Sequence, residues 1–186
     1  LIGHNNITGF ECKKELKKCI DLARSVSPVK YINVVIDSTI LGKASQKEIT
    51  EQWKQLPSSY KTDSKLRFIS PRDTRTFTVL FQFCYAKNDE IFILPRWDFT
   101  TSLFSNISNR PFYSLCNEGI GKNMNGGILG GIFPTSFQQG YDGACLAADI
   151  LLKKKVITHV PLQYHASKPV YDWLQIKRLD LSPSSF

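Results

Sequence analysis

The chain has 186 residues, of which 42% are hydrophobic and 12% aromatic, and its formal net charge is +8. That apolar content is enough for the core of one domain or one large lobe, and no run of apolar residues reaches the length of a membrane span. No signal peptide opens the chain and Leu1 is not an initiator methionine, so the sequence is expected to be a piece of a longer protein. The positive charge is spread along helical stretches, as at Lys13, Lys14, Lys17 and Lys18 and at Lys153, Lys154 and Lys155. Without aromatics interleaved in a nucleic-acid motif, this pattern reads as solvated helix faces, and no nucleic-acid partner is expected.

Residues 11–26 are expected to be helical, with Leu16, Cys19, Ile20 and Ala23 on one face, and Ser27-Pro28 ends the run. Tyr31-Ile-Asn-Val-Val-Ile36 is a short, β-branched, nearly continuous apolar run, the pattern of a strand buried on both faces. A second helix is expected over 44–56, closed by Pro57, and a strand over 66–69. Asp73 is placed to cap a helix over 74–86. A strand at 90–94 ends at Pro95, a weak helix follows over 100–108, and a strand over 111–115. A glycine-rich segment spans 119–131. Ser136 then caps a helix to about 155, a last strand runs over 156–164, and a short helix over 171–178 closes the chain.

Strands alternating with helices at this spacing predict an α/β fold with a doubly wound parallel sheet. In such sheets ligands bind beyond the carboxyl ends of the strands. Four loops therefore gather the candidate ligand-binding residues: Ser38 and Thr39, then Arg72, then Trp97 and Asp98, then Glu118. Trp97 offers a flat face to an apolar or cationic group. Asp98 and Glu118 suit a positive group and Arg72 a carboxylate, while Ser38 and Thr39 bring hydroxyls to the start of the next helix. The bland alternatives are packing for Trp97 and a helix cap for Asp98.

Several catalytic patterns are absent. There is no GxGxxG, GxxxxGK[ST] or GxSxG sequence. His4, His159 and His165 have no metal-ligand spacing and no carboxylate beside them in sequence, so structural or surface roles are expected. The five cysteines form no CxxC pair, and Cys12 and Cys19 are about 10 Å apart along a helix, too far to bridge. Cys84, Cys116 and Cys145 read as small buried hydrophobes. No catalytic residue, metal or cofactor is expected. An enzyme using Asp98 or Glu118 as base, and the effector domain of a transcription regulator, are the weaker readings.

Asn6-Ile-Thr-Gly9, Ser27-Pro-Val-Lys-Tyr-Ile-Asn-Val-Val-Ile36, Asp89-Glu-Ile-Phe-Ile-Leu94, Arg110-Pro-Phe-Tyr-Ser114 and Gly126-Gly-Ile-Leu-Gly-Gly131 resemble, in order, the second lobe of bacterial solute-binding proteins of the tryptophan/tyrosine-transporter type. The tail Pro169-Val-Tyr-Asp-Trp173 through Ser182-Pro-Ser-Ser185 is similar to extracytoplasmic sensor regions of histidine kinases. The resemblance implies a type I periplasmic-binding-protein lobe, with the N-terminal lobe, roughly a hundred residues, largely missing. It divides the chain into a second lobe at 1–132, a helix returning to the first lobe through the hinge at 133–156, and a last strand with a membrane-proximal tail at 157–186. The implied function is an extracytoplasmic sensor domain, without enzyme activity of its own, that binds a small amino acid, purine or sugar-like solute. Membrane-linked signalling domains of the same protein are the implied partners, a homodimer is allowed, and a free-standing transporter component is the alternative. The reading also expects Phe137, Tyr141, Ala144, Ala148 and Leu151 to lie more exposed than a core helix permits, or to be covered by another chain.

Overall fold

The computed structural model describes residues 8–11, 13–70, 76, 79, 89–95, 110–116, 120, 127–156 and 163–181. The described elements run β1 (Phe10–Glu11), α1 (Leu16–Arg24), β2 (Tyr31–Val35), α2 (Ile40–Gln55), α3 (Ser58–Asp63), β3 (Lys65–Ile69) and β4 (Glu90–Leu94). Then follow β5 (Phe112–Ser114), β6 (Ile128–Phe133), α4 (Ser136–Leu151), β7 (Gln163–Tyr164), β8 (Lys168–Tyr171) and α5 (Trp173–Arg178). They form two compact units, Leu1–Lys13 with Phe133–Lys168, and Lys14–Ile132 with Pro169–Phe186.

In the larger unit a six-stranded sheet has the order β3-β2-β4-β5-β6-β8. The pairs β2–β3, β2–β4, β4–β5 and β5–β6 are all parallel. This is the expected doubly wound α/β sheet. Residues alternate between its faces: Ile32, Val34, Ile91, Ile93, Tyr113 and Leu129 join one core cluster, and Val35, Ile69, Phe92, Leu94, Phe112 and Ile128 the other. α1 covers the first face with Leu16, Cys19, Ile20 and Ala23, all fully buried, at the spacing that puts them on one stripe. Removing Leu16 and Ile20 from water stabilises the fold by about 1.5–3 kcal/mol each.

α1 lacks a side-chain cap of its own at Glu15. Gln52 of α2 supplies the need from outside. Its Oε1 accepts from the Leu16 N–H at 3.0 Å, and its Nε2 donates to the Lys14 carbonyl at 2.8 Å. The Lys14–Glu48 ion pair, 2.7 Å, closes the same junction.

Several elements depart from the sequence expectation. The first helix begins at Leu16, not 11, because Phe10–Glu11 pairs with Gln163–Tyr164 in a two-stranded parallel ribbon. α2 begins at Ile40, not 44, because Thr39 caps it. α3 was not expected. The glycine-rich stretch, to which the sequence assigned no element, leads into a fully buried strand, β6. Gly130 allows β8 to lie beside it: a Cβ there would meet the Val170 carbonyl oxygen at 2.5 Å. α4 is capped by Thr135, whose side chain accepts from the Gln138 N–H, and not by Ser136. The closing helix starts at Trp173, after the unexpected β8, with Asp172 as its cap. Thr76 and Val79 are helical, while most of the expected helix at 74–86, all of that at 100–108, and residues 157–162 of the expected last strand lie outside the described residues.

The cysteine expectation is corrected as well. Cys19 is buried, but Cys116 is half-buried and Cys145 is exposed. Local apolar neighbours raised the expectation for Cys145, yet it lies on a side of α4 that nothing among the described residues covers. Cys84 lies outside the described residues.

Burial lifts the Cys19 thiol from its ordinary 9.0 to about 12. An unfolded chain ionises this thiol from about pH 9, whereas the folded chain keeps its proton. The associated stability is therefore complete below pH 9 and is lost as pH rises toward 12, by up to about 1.4 kcal/mol per pH unit. Urea midpoints measured from pH 8 to 11 should fall less steeply in Cys19→Ala than in the wild type. Parallel curves would show that the thiol contributes nothing to the alkaline loss.

Candidate functional site

The strand order reverses between β2 and β4: the first strand of this sheet in chain order lies between the second and the third. Crossovers from these two strands leave in opposite directions and open a crevice beyond their carboxyl ends. β2 leads there into Asp37, Ser38 and Thr39, and β4 ends at Leu94, three residues before Trp97 in sequence.

The turn after β2 is built by its own side chains. Asp37 Oδ1 accepts from the Thr39 N–H at 2.8 Å and also from the Thr39 hydroxyl. Thr39 Oγ1 in turn accepts from the Gly42 N–H at 3.1 Å, capping α2. Gly42 is required by this packing, since a Cβ there would stand 2.3 Å from both the carbonyl oxygen and Oδ1 of Asp37. The chain can then turn sharply from strand to helix, with the first turn of α2 facing the crevice. Ile40 and Leu41 project from that turn, 86% and 50% exposed.

Of the residues singled out from sequence, the structure places Ser38 and Thr39 together at this edge, both exposed. The Thr39 hydroxyl is committed on both sides, as donor to Asp37 and acceptor from Gly42, so it shapes the loop. Ser38 keeps an exposed side chain. Arg72, Trp97, Asp98 and Glu118 lie outside the described residues. Sequence reasoning noticed Asp37 only as a carboxylate at a strand end; its role as organiser of the turn was signalled by the Asp-x-Thr pattern directly before a helix.

At the end of β5, Ser114 is buried and its hydroxyl accepts from the Cys116 N–H at 3.2 Å and donates to the Cys116 carbonyl at 2.7 Å. This fixes the direction in which the chain leaves the sheet at Cys116.

The smaller unit holds an open pocket of about 460 Å³, lined by Phe10, Gln139, Gly143, Leu146, Ile150 and His165 among others. His165 stacks on Phe10 with ring centroids 4.5 Å apart. Its Nδ1 lies 2.9 Å from Asp142 Oδ2, and the other Asp142 oxygen accepts from Gln138 Nε2 at 2.6 Å. His165 therefore has the carboxylate neighbour that its sequence surroundings lack, and it ties the end of β7 to α4.

No known family profile matches the chain, and no curated protein matches it in sequence. Solved structures do. One is the ligand-free, open structure of CD0873, a substrate-binding protein with adhesive properties from Clostridium difficile, at a TM-score of 0.71 and 16% identity over 98% of this chain and 62% of that one. Another is the ABC domain from Streptococcus pneumonia in complex with L-Trp, at a TM-score of 0.60 and 16% identity over 89% of this chain and 55% of that one. This chain thus spans about three fifths of the length of these structures, and the likeness shows a shared fold.

Proposed function

We propose that the protein is the small-molecule-binding part of an extracytoplasmic sensor, with its solute held at the crevice between β2 and β4. The observation that carries this reading is the reversal of strand order at the point where the Asp37–Ser38–Thr39 turn is built. The fold shared with substrate-binding proteins supports it. In the proposed site Ser38 contacts the solute directly, and Thr39 holds the loop. Arg72, Trp97, Asp98 and Glu118 follow the neighbouring strands in sequence and supply the charges and the aromatic face. Ile40 and Leu41 favour a solute with an apolar portion, and a zwitterion such as an amino acid fits the set of charges. L-Trp in one similar structure is in line with that choice.

In this reading the chain is part of a two-lobed module whose first lobe it largely lacks. Closure of the lobes over the solute is driven only by the solute's preference for the closed state. A histidine kinase is the proposed parent. A free-standing transporter component is the second reading, favoured by the substrate-binding protein among the similar structures.

Isothermal titration of the full two-lobed protein against amino acids, purines and sugars tests the proposal. A hit should be weakened by about 1.5–3 kcal/mol in Asp98→Ala, the value of a hydrogen bond to a charged group. A variant that binds every hit as tightly as the wild type removes Asp98 from the site, and a protein that binds nothing in the panel removes the solute class.

A further inference from the structure

The turn between β2 and α2 offers a solute the opposite charge from the one its sequence suggests. Hydroxyls at the start of a helix, here Ser38 and Thr39, suit an anion. The structure fills that place from within the chain. Asp37 sets its own carboxylate beside the first turn of α2, where Oδ1 accepts from both the N–H and the hydroxyl of Thr39. A negative group beside a helix N-terminus is favourable, and a second anion there would be repelled by the first.

The two oxygens of Asp37 have different roles. Oδ1 is committed to Thr39 and closes over Gly42, where there is no room for a Cβ. Oδ2 has no hydrogen bond among the described residues, and no lysine or arginine among them pairs with it. Asp37 is half-buried, at the carboxyl end of β2 where the strand order reverses, and Ser38 beside it is exposed. The carboxylate is therefore held in one orientation before any solute arrives, which lowers the ordering cost of binding. Being partly removed from water, it also gains more from a cationic partner than a fully solvated carboxylate does.

We infer that this turn is the subsite for a positively charged group of the solute, an ammonium, with Asp37 Oδ2 as its acceptor. The inference rests on the proposed solute site at the crevice and adds the orientation of the solute within it. An ammonium has three N–H donors, so Oδ2 takes one and leaves two for the other acceptors of the site.

Isothermal titration of the full two-lobed protein tests this with paired probes. Apolar L-amino acids are each set beside the 2-hydroxy acid of the same side chain, in which a hydroxyl replaces the ammonium. The wild type should bind the amino acid at least about tenfold more tightly. Asp37→Asn keeps an oxygen for Thr39, and so keeps the turn, but carries no charge. It should bind the amino acid about 10- to 100-fold more weakly than the wild type does, and the hydroxy acid within about twofold. Asp37→Ser, whose hydroxyl supports a similar turn, is the second variant if the first loses its native circular dichroism. A wild type that binds both members of a pair equally overturns the inference and leaves the solute site standing. So does an Asp37→Asn that binds the amino acid as tightly as the wild type, or a wild type that binds only uncharged sugars or purines. A wild type that binds none of these solutes overturns the solute site and the inference together.

Discussion

Gly42→Ala is expected to destabilise the protein by about 2–4 kcal/mol, the sum of a lost helix cap and of overpacking, and to abolish the solute binding proposed at the crevice. In an unconstrained helix the same substitution is favourable by about 1 kcal/mol, because alanine loses less backbone entropy. What reverses the sign is geometry. The new methyl group would meet two oxygens of Asp37 at 2.3 Å, one of them on the backbone. Asp37 cannot yield without releasing the Thr39 N–H and hydroxyl, and Thr39 cannot move without uncapping α2. Gly140→Ala and Gly143→Ala on α4 are the controls. Nothing lies within 4 Å of either added Cβ, so each should stabilise the smaller unit by about 0.5–1 kcal/mol. Chemical denaturation of the three variants measures this directly. If Gly42→Ala proves as stable as its two controls, the turn after β2 is not held as described.

The second large effect lies in the sheet itself. Phe92→Ala should cost about 3–5 kcal/mol, the range for removing a large aromatic from a packed interior. Phe92 is fully buried and stacks on Phe112 at 4.8 Å between ring centroids. It stands in the central strand β4, paired with β2 on one side and β5 on the other. The cavity would open directly beneath the crevice, so a domain of ordinary stability would lose a large share of its folding free energy. Guanidinium unfolding followed by tryptophan fluorescence is the appropriate measurement. A loss below about 1 kcal/mol would mean that the second face of the sheet is not tightly packed.

The parts of the fold legible from sequence are those set by local periodicity. β2 and β4 were recognisable because Tyr31-Ile-Asn-Val-Val and Glu90-Ile-Phe-Ile-Leu are nearly continuous apolar runs, and all but the half-buried Tyr31 are buried, as in central parallel strands. The core stripe of α1 was recognisable because the i, i+3, i+4, i+7 spacing of Leu16, Cys19, Ile20 and Ala23 defines a face wherever the helix is placed. The exposed stripe on α4 was expected as well, although only the folded structure shows that nothing among the described residues covers it. The short elements were not legible. α3, β8 and the two-residue strand β1 are too brief to carry a period, and the glycines of β6 carry no strand signal of their own.

Sequence alone therefore determined the class of the fold, alternating strands and helices in a parallel sheet, and the edge of that sheet on which Ser38 and Thr39 would lie. Tertiary structure alone decided the strand order, and with it that the crevice opens between β2 and β4. It also decided that Gly42 must remain glycine against Asp37, that Gln52 completes the start of α1, and that His165 meets Asp142 from 23 residues away. The physical reason is the range of the interactions. Backbone periodicity and capping act over one or two turns and are written in neighbouring residues. Strand order, close approach and ion pairing join residues far apart in the chain, and nothing local in the sequence specifies which of them will meet.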